Sequence, residues 1–372
     1  MTTLVDDESD DPRTHALVIG VGKYDYLDDP RMVQFGLSAR LTSPPKSAHA
    51  VLRFLHDELN RPNAPLGSLT VLMSPRSSVR LPGGRRRWVD TPTLANIESS
   101  FRQWIDRCNR NEENTAFFYF CGHGIARNSL ALLASDFGDP GYQPFAKAVN
   151  FDDSRTAMAT SCKARTQCFF ADACRSVPPG VLPIGNPLGI VIPDWDIQQN
   201  NSVDSFSLYA SLPTDPAYGL HNKPSAFTTA LLRSLRGFGS RQTLGEWWVT
   251  TMDLALGVEV AMDYAQRHEG APTQVARPYG GSRKSFLHQL ADPGRFPVTI
   301  CLVPSDPQDA ELSIRDRNRT VARHHGGDAP WEVLVRAREY SGRATFPAGT
   351  WKPYVTTFTP VPPSCEYAWE LQ

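Results

Sequence analysis

The strongest constraint on the fold is a repeated alternation of short apolar runs with amphipathic segments of helical period, which fills most of the chain up to about Leu290. The apolar runs are rich in β-branched or aromatic residues and predict buried strands, over 15–22, 69–73, 116–121, 167–171 and 205–212. The amphipathic segments predict helices, over 47–59, 91–109, 226–235 and 244–268. Because strands that alternate with helices pair in parallel, we expect an α/β fold whose mainly parallel sheet is flanked by helices.

The sequence changes character near Asp292-Pro-Gly294. Beyond this point short β-type runs are separated by proline and glycine and no clear helix follows; the runs are 298–302, 331–335, 354–358 and 365–369. We therefore predict three parts. They are a disordered acidic N-terminus over 1–14, an α/β domain over 15–292, and a small β-rich C-terminal module over 295–372.

Composition and charge exclude several classes of protein. Lys and Arg number 38 against 39 Asp and Glu, so no overall field attracts nucleic acid or an anionic membrane. No apolar run approaches the roughly 18 residues that cross a bilayer, and the start of the chain is acidic where a signal peptide is basic. Seven cysteines without a C-x-x-C pair suit neither a disulfide framework nor a zinc cage. We expect a cytoplasmic protein with reduced thiols and neither a nucleic-acid nor a membrane partner.

Two of the predicted strand ends carry nucleophilic chemistry. His123 lies in the segment Cys-Gly-His-Gly that follows one strand, and Cys174 lies in Asp-Ala-Cys-Arg at the end of another. Ligands of open α/β sheets bind beyond the carboxyl ends of the strands, so these side chains are expected to meet there. An imidazole can take the proton of a thiol and later protonate a leaving amine. Cys174 is the candidate nucleophile and His123 the candidate acid/base. The remaining cysteines are predicted to be buried and unreactive: Cys108, Cys121, Cys162, Cys168, Cys301 and Cys365.

With these two motifs in this order, the chain resembles the caspase-like cysteine peptidases, the clan of caspases, paracaspases and metacaspases. The resemblance runs from the first strand to Gln274 and does not include the C-terminal module. It implies a six-stranded caspase-like sheet and an endopeptidase that cleaves proteins or peptides with a Cys174 and His123 dyad, without an obligatory third acid. It also implies an oxyanion hole formed by the backbone N–H groups of Gly124 and Cys174. The chain departs from the family pattern at Ser47, Cys121 and Ser176.

Asp172 bears on substrate specificity. It lies two residues before the nucleophile, and the alternation of a strand places its side chain on the same face as Cys174. Metacaspases and paracaspases carry an aspartate at the matching place and use it to hold Arg or Lys, whereas caspases carry glutamine. We therefore predict cleavage after basic residues, with Arg preferred over Lys because a guanidinium pairs with a carboxylate through two hydrogen bonds. The alternative is that Asp172 pairs internally with Arg165 or Arg175.

Other binding groups are predicted by the resemblance. Asp25, in the loop after the first strand, is the candidate for a second acidic group of the substrate pocket. The peptide is expected to add to the sheet edge beside 209–212, with Ala210 and Ser211 as its backbone partners. No protein-bound metal or cofactor is predicted. Calcium activation is left open, because carboxylates that could bind calcium occur in several loops: Asp136, Asp139, Asp152 and Asp153.

Further expectations concern regulation and biological role. Between Ser176 and Asn222 the chain has neither Lys nor Arg, so a peptidase of basic specificity would not process itself there, and we predict an intact single chain. The C-terminal module is expected to bind a protein partner. The composition suggests a bacterial source, and the resemblance then suggests a role in defence or regulated cell death. Two alternatives stay open: a catalytically idle scaffold that binds protein partners, and a caspase-like peptidase with Asp specificity.

Overall fold

A seven-stranded sheet runs through the centre of the protein, seen here in a computed structural model. The structure describes residues 2–80, 86–179, 189–193, 203–213, 215–281, 284–304, 309–326, 330–349 and 351–371. The strands of the main sheet are β1 (Thr2–Asp6), β2 (Thr14–Val21), β3 (Leu66–Ser74), β6 (Thr115–Gly122), β10 (Thr166–Ala173), β11 (Asp204–Tyr209) and β14 (Arg277–Gly280). Their spatial order is β1-β3-β2-β6-β10-β11-β14.

The core of this sheet is parallel, as the sequence predicts. Strands β3, β2, β6, β10 and β11 pair in parallel, and the antiparallel strands β1 and β14 close the two edges. Strand β2 is buried along its whole length, in agreement with its unbroken apolar run. The α/β fold is therefore confirmed, although the described sheet has seven strands rather than six.

The additional strand comes from the N-terminal segment, where the prediction of disorder over 1–14 is wrong. β1 pairs with β3, and two threonines and a valine supply side chains that suit a strand. The acidic residues that suggested disorder have cationic partners. Asp6 binds Arg107 at 2.7 Å and Asp7 binds Arg13 at 2.9 Å. The first of these ion pairs fastens the acidic segment to α2 of the α/β domain, and the second lies within the segment.

Helices cover both faces of the sheet. One face packs against α1 (Ser43–Arg53), α4 (Ala226–Arg233) and α5 (Thr251–Glu269), the other against α2 (Leu94–Cys108) and α3 (Phe151–Ser161). Helix α2 begins at Leu94 and is capped by Thr93, whose hydroxyl accepts from the N–H of Asn96. Among the described residues, no helix combines the length and the apolar character needed to span a lipid bilayer.

The predicted helix over 244–268 is wrong in its first turns. Trp247 and Trp248 lie in a strand that pairs on both sides, and α5 begins only after it. The reason is local, because Leu244 and Gly245 both have positive φ and turn the chain back as a hairpin. The hydroxyl of Thr250 then caps α5.

Short strands form small sheets around this core. Those within the α/β domain are β4 (Ser78–Arg80) with β5 (Arg86–Trp88); β7 (Gly124–Ala126) with β8 (Leu130–Leu133) and β9 (Ala148–Asn150); and β12 (Ser240–Thr243) with β13 (Glu246–Thr250) and β15 (Phe286–Leu290). The sheet that contains β7 matters most for function, because β7 begins one residue after His123.

The C-terminal region is β-rich, as predicted, with two sheets in its described residues. One contains β16 (Arg295–Val303), β19 (Trp331–Arg336) and β22 (Cys365–Glu370), the other β17 (Glu311–Asp316), β18 (Arg319–His325), β20 (Tyr340–Thr345) and β21 (Tyr354–Phe358). A single apolar cluster joins Phe238 of the α/β domain to Phe296 of β16. Arg267 and His268 of α5 also contact Glu332. The C-terminal strands and the α/β domain thus share one hydrophobic core cluster.

Candidate active site

Strand register brings the thiol and the imidazole to one rim of the sheet. Strands β6 and β10 are parallel neighbours, with Asp172 opposite Cys121 and Ala173 opposite Gly122. Extending the same register by one residue places Cys174 beside His123. Because paired strands lie roughly 4.8 Å apart, both residues leave the sheet at the same place. The topology therefore creates the juxtaposition that the two sequence motifs predict.

The glycines that flank His123 allow this close packing. A Cβ atom on Gly124 would lie 2.6 Å from the carbonyl oxygen of Cys174 and 2.9 Å from the Cβ of Ala173. A Cβ atom on Gly122 would lie 2.8 Å from the hydroxyl of Tyr24. Any larger residue at either position would push the His123 turn away from its neighbours.

His123 is held by two contacts that sequence reasoning missed. Its Nε2 lies 2.8 Å from the carbonyl oxygen of Ser38, and its backbone N–H donates to the hydroxyl of Tyr24 at 2.6 Å. Since a carbonyl oxygen only accepts, Nε2 carries the proton in this contact and Nδ1 is left to exchange a proton. Burial lowers the pKa of His123, and the hydrogen bond to Ser38 partly opposes that shift. The imidazole is therefore neutral at pH 7 and able to act as a base.

Cys174 is half-buried and contacts a loop from the far side of the site. The N–H of Ala217 donates to its Sγ at 3.2 Å, and Sγ lies 3.5 Å from the carbonyl oxygen of the same residue. Burial raises the pKa of Cys174, the Ala217 N–H opposes the shift, and the charge of Asp172 adds to it. In this arrangement the thiol keeps its proton at pH 7.

A cavity of about 450 Å³ opens at this rim. His123, Cys174 and Asp172 all line it, together with Arg40 and His221 from two loops. The thiol, the imidazole and the acid predicted from sequence therefore face one space. Gly124, the other residue predicted to form the oxyanion hole, packs against the backbone of Cys174, next to the residues that line the cavity.

Asp172 is a buried carboxyl group held by hydroxyl donors. It is 4% exposed, and its Oδ2 accepts from Ser225 at 2.5 Å, from Thr228 at 2.6 Å and from Tyr119 at 3.1 Å. Burial raises the pKa of Asp172, and the hydroxyls of Ser225 and Thr228 oppose the shift. Ser225 is also the N-cap of α4, so the helix start and the acid share one side chain. Sequence reasoning missed these three donors.

The alternative of an internal ion pair for Asp172 is wrong for both candidate partners. Arg165 pairs with Glu112 at 2.7 Å, and the guanidinium of Arg175 stacks 4.5 Å from the ring centre of Tyr209. Over the described residues, no lysine or arginine forms a salt bridge with Asp172. Its hydroxyl donors stabilise the carboxylate without neutralising its charge.

The structure places Asp25 outside the cavity. Its carboxylate binds Lys23 at 2.7 Å and both side chains are partly exposed. The cavity wall on this side comes instead from residues after the loop, including Leu41 and Ser43. The expectation that Asp25 supplies the second acid of the pocket therefore finds no support in this arrangement.

The predicted peptide-binding edge is closed at two of its positions. Tyr209 already pairs with Arg277 of β14, and the carbonyl of Ala210 accepts from the side chain of Gln274 at 2.7 Å. Ser211 is buried and, like Ala210, does not line the cavity. The wall beside the thiol is formed by the loop of 217–221, because the chain continues past the sheet edge before it turns back over the site.

The four aspartates considered for calcium contact protein groups. Asp136 pairs with Lys147 at 3.3 Å and Asp139 accepts from the N–H of Gly141 at 3.0 Å. Asp152 accepts from Leu130 and Tyr209, and Asp153 from Asn150. In the part of the chain that the structure describes, no three His, Cys, Asp or Glu side chains are placed to share a metal ion. Calcium activation stays an open question.

Two curated relatives match part of the chain. An uncharacterised protein of Sinorhizobium fredii is 32% identical over 187 residues, which are 47% of this chain and 50% of that protein. A probable protease of a Desulfuromonadales bacterium is 28% identical over 238 residues, which are 60% of this chain and 26% of that protein. The matches thus span about half and about a quarter of the relatives' lengths.

Two solved structures and one family model also match the chain. A Geobacter sulfurreducens protein aligns with a TM-score of 0.43 and 12% identity over 73% of this chain and 94% of its own. Caspase-1 of Spodoptera frugiperda aligns with a TM-score of 0.42 and 16% identity over 76% of this chain and 94% of its own. The family model described as the caspase domain matches residues 13–274. Because this match covers well over half of the sequence, the chain belongs to the caspase domain family.

Proposed function

We propose that the protein is a cysteine endopeptidase that cleaves proteins or peptides after basic residues, Arg in preference to Lys. Cys174 is the nucleophile and His123 the acid/base. The observation that carries the proposal is the cavity in which the thiol, the imidazole and the buried carboxyl group of Asp172 meet. A cationic side chain of the substrate would supply the counter-charge that Asp172 lacks among the described residues.

The contacts of His123 support a defined proton path. The Ser38 carbonyl holds the proton on Nε2, so Nδ1 accepts the proton of the Cys174 thiol. The thiolate attacks the carbonyl carbon of the scissile peptide bond, and the imidazolium protonates the leaving amine as the C–N bond breaks. A water molecule, deprotonated by the imidazole, then hydrolyses the thioester and releases the acid product. Ser38 therefore acts as a positioning group through its backbone.

Backbone register supports Gly124 as an oxyanion donor. The carbonyl of His123 accepts from the N–H of Leu133 at 3.1 Å, which fixes the phase of the hydrogen bonds along the ladder between β7 and β8. Gly124 and Leu132, the next pair, are then a non-hydrogen-bonded pair of the antiparallel strands β7 and β8. The N–H of Gly124 therefore points away from β8. With the N–H of Cys174 it would form the two-donor site that an acyl-transfer oxyanion needs.

Gly124→Ala is expected to lower kcat about 100-fold, because the added methyl would displace the Cys174 backbone from its place beside the donor. The measurement is steady-state hydrolysis of an Arg peptide, with the melting temperature recorded for the same sample. Gly141→Ala is the matched control, since its Cβ would meet no atom closer than 3.6 Å. An unchanged kcat in Gly124→Ala would contradict the close packing of Gly124 against the Cys174 backbone.

The raised pKa of Cys174 predicts how its reactivity depends on pH. A raised pKa means that the proton is retained at neutral pH, so thiolate reactivity should appear only as pH rises past the ordinary value of 9.0. Iodoacetamide alkylation of the free protein, followed at Cys174 by peptide mass spectrometry, measures this profile. Cys174→Ala identifies the background. A plateau of fast alkylation already below pH 7 would show a preformed thiolate and contradict the resting arrangement.

Asp specificity is a second candidate that one observation favours. Arg40 and His221 line the same cavity as Cys174, and either would pair with an acidic residue of the substrate. Fluorogenic peptides that differ only in a terminal Arg, Lys or Asp separate the two specificities. Hydrolysis of the Arg peptide ahead of the Lys peptide supports the role of Asp172. Hydrolysis of the Asp peptide alone would assign recognition to Arg40 and His221.

Three wider expectations also belong to this proposal. The C-terminal region over 295–372 would bind a protein partner, the enzyme would work as an intact chain, and its role would lie in bacterial defence or cell death. Intact mass measured before and after incubation of the active enzyme tests the second expectation directly. Self-cleavage between 176 and 222 would contradict it, because that segment lacks basic residues.

A further inference from the structure

A second groove, of about 670 Å³, adjoins the catalytic cavity. Its lining includes five basic side chains, those of Lys23, Arg40, Lys46, His49 and Arg53, and no aspartate or glutamate from the described residues lines it. We call it the basic groove. A concave surface lined by charges of one sign concentrates its field and attracts a ligand of the opposite sign.

Helix α1 supplies the regular part of this surface. Lys46, His49 and Arg53 follow one another at intervals of three and four residues, so they lie on one helix face. Lys46 and Arg53 are exposed. Burial and the charges of Arg53 and Lys46 lower the pKa of His49, as expected beside a positive surface.

Little of this charge is neutralised within the protein. Lys23 binds Asp25, and Arg53 lies 3.9 Å from Asp57 in the weaker geometry of an exposed helical pair. For Arg40 and Lys46, the described residues provide no salt bridge. The groove thus carries cations that can pair with an anionic ligand.

The acidic N-terminal segment of the same chain is not that ligand. Asp6 and Asp7 are already paired with Arg107 and Arg13. Asp6 lies opposite Ser68 near the start of β3, whereas the groove is lined by Met73 at the other end of that strand. The basic groove is instead continuous with the catalytic cavity, because Arg40, Leu41 and Thr42 line both spaces. A polypeptide that passes the thiol would run on into the groove.

We propose that the basic groove binds an acidic stretch of polypeptide, which in the proposed peptidase is a flank of the substrate beside the scissile basic residue. This inference rests on the proposed function for the identity of the ligand as substrate, but not for the binding itself. Recognition would then have two parts: Asp172 holds a cation in the cavity, and the α1 face holds carboxylates next to it. A peptidase with this two-part recognition would select cleavage sites at which acidic residues precede or follow the basic residue.

Binding is tested without cleavage in the Cys174→Ala protein. A fluorescently labelled hexaglutamate peptide without Lys or Arg is titrated and its anisotropy followed at low salt. We expect saturable binding that weakens at least about tenfold when Lys46→Glu and Arg53→Glu are added, and that also weakens as salt is raised. Lys352→Glu, an exposed lysine of the C-terminal region, is the matched control and should leave binding unchanged.

Cleavage is tested with Arg peptides whose flanks are neutral or carry glutamates before or after the Arg. One acidic flank should raise kcat/KM about tenfold through KM, and the double variant should lose this gain while it cuts the neutral peptide normally. The inference would be overturned if hexaglutamate bound equally well to the double variant of Lys46 and Arg53. It would also be overturned if binding of a labelled oligothymidine, but not of hexaglutamate, depended on these two residues. Absence of all cleavage alongside Lys46-dependent binding would refute the peptidase and support the acidic-peptide site.

Discussion

Cys174→Ala is expected to lower peptide hydrolysis at least about 10⁴-fold while the protein stays folded, because the variant removes the only atom proposed to form the acyl-enzyme. The side chain is half-buried, and its loss removes only the contacts of Sγ with Ala217, so the free energy of unfolding should change little. Steady-state hydrolysis of an Arg peptide and thermal unfolding measure the two effects on the same sample.

Cys301→Ala is the matched control for this prediction. Cys301 is likewise partly buried, but it lies in β16, away from the catalytic cavity. Its variant should keep wild-type kcat/KM. If Cys174→Ala retained the activity, Cys174 would not be the nucleophile. If the wild-type protein had no activity toward Arg, Lys or Asp peptides, the protein would be a scaffold with an idle dyad.

Asp172→Asn is expected to lower kcat/KM for an Arg peptide about 100-fold, because a buried guanidinium would lose the charge that pairs with it. The amide is close in shape to the carboxyl group and its oxygen can still accept from Ser225 and Thr228, so the pocket should keep its form. The ratio of kcat/KM between Arg and neutral peptides reports the effect. Loss of discrimination rather than loss of all activity is the signature of a specificity residue.

Asp25→Asn is the control for Asp172, since Asp25 is an acid of the same strand-end region that lies outside the cavity. Less than about a threefold change is expected from the loss of an exposed pair with Lys23. A large effect of Asp25→Asn together with a small effect of Asp172→Asn would reverse the assignment of the acidic group. The loop after β2 would then have to move into the cavity when substrate binds.

The parts of the site that sequence reasoning could predict are those set by strand ends. His123 and Cys174 each follow an apolar run directly, and parallel strands of similar length end at one rim. Asp172 follows from the two-residue period of the same strand. Local alternation and parallel topology are sufficient for these residues, because neighbouring parallel strands bring their carboxyl ends together whatever the loops do.

Contacts made by loops could not be predicted in this way. Ser38 reaches His123 from 85 positions away, and Ala217 reaches Cys174 from 43 positions away, with no motif to mark either contact. Asp25 is predicted to line the pocket because it is close in sequence to a strand end, yet its carboxylate binds Lys23 and both side chains are partly exposed. At the N-terminus, acidic residues suggested disorder, and Arg107, distant in sequence, provides the partner that orders Asp6.

The most direct test of the central claim is peptide mass spectrometry after reaction with an Arg-based chloromethylketone, in which a thiolate displaces chloride and forms a thioether. We predict one added label, on Cys174, that is lost in Cys174→Ala and strongly slowed in His123→Ala, whereas the matched Asp-based reagent labels poorly. Labelling of any other cysteine in preference to Cys174, or of Cys174 at equal rates with and without His123, would contradict the account.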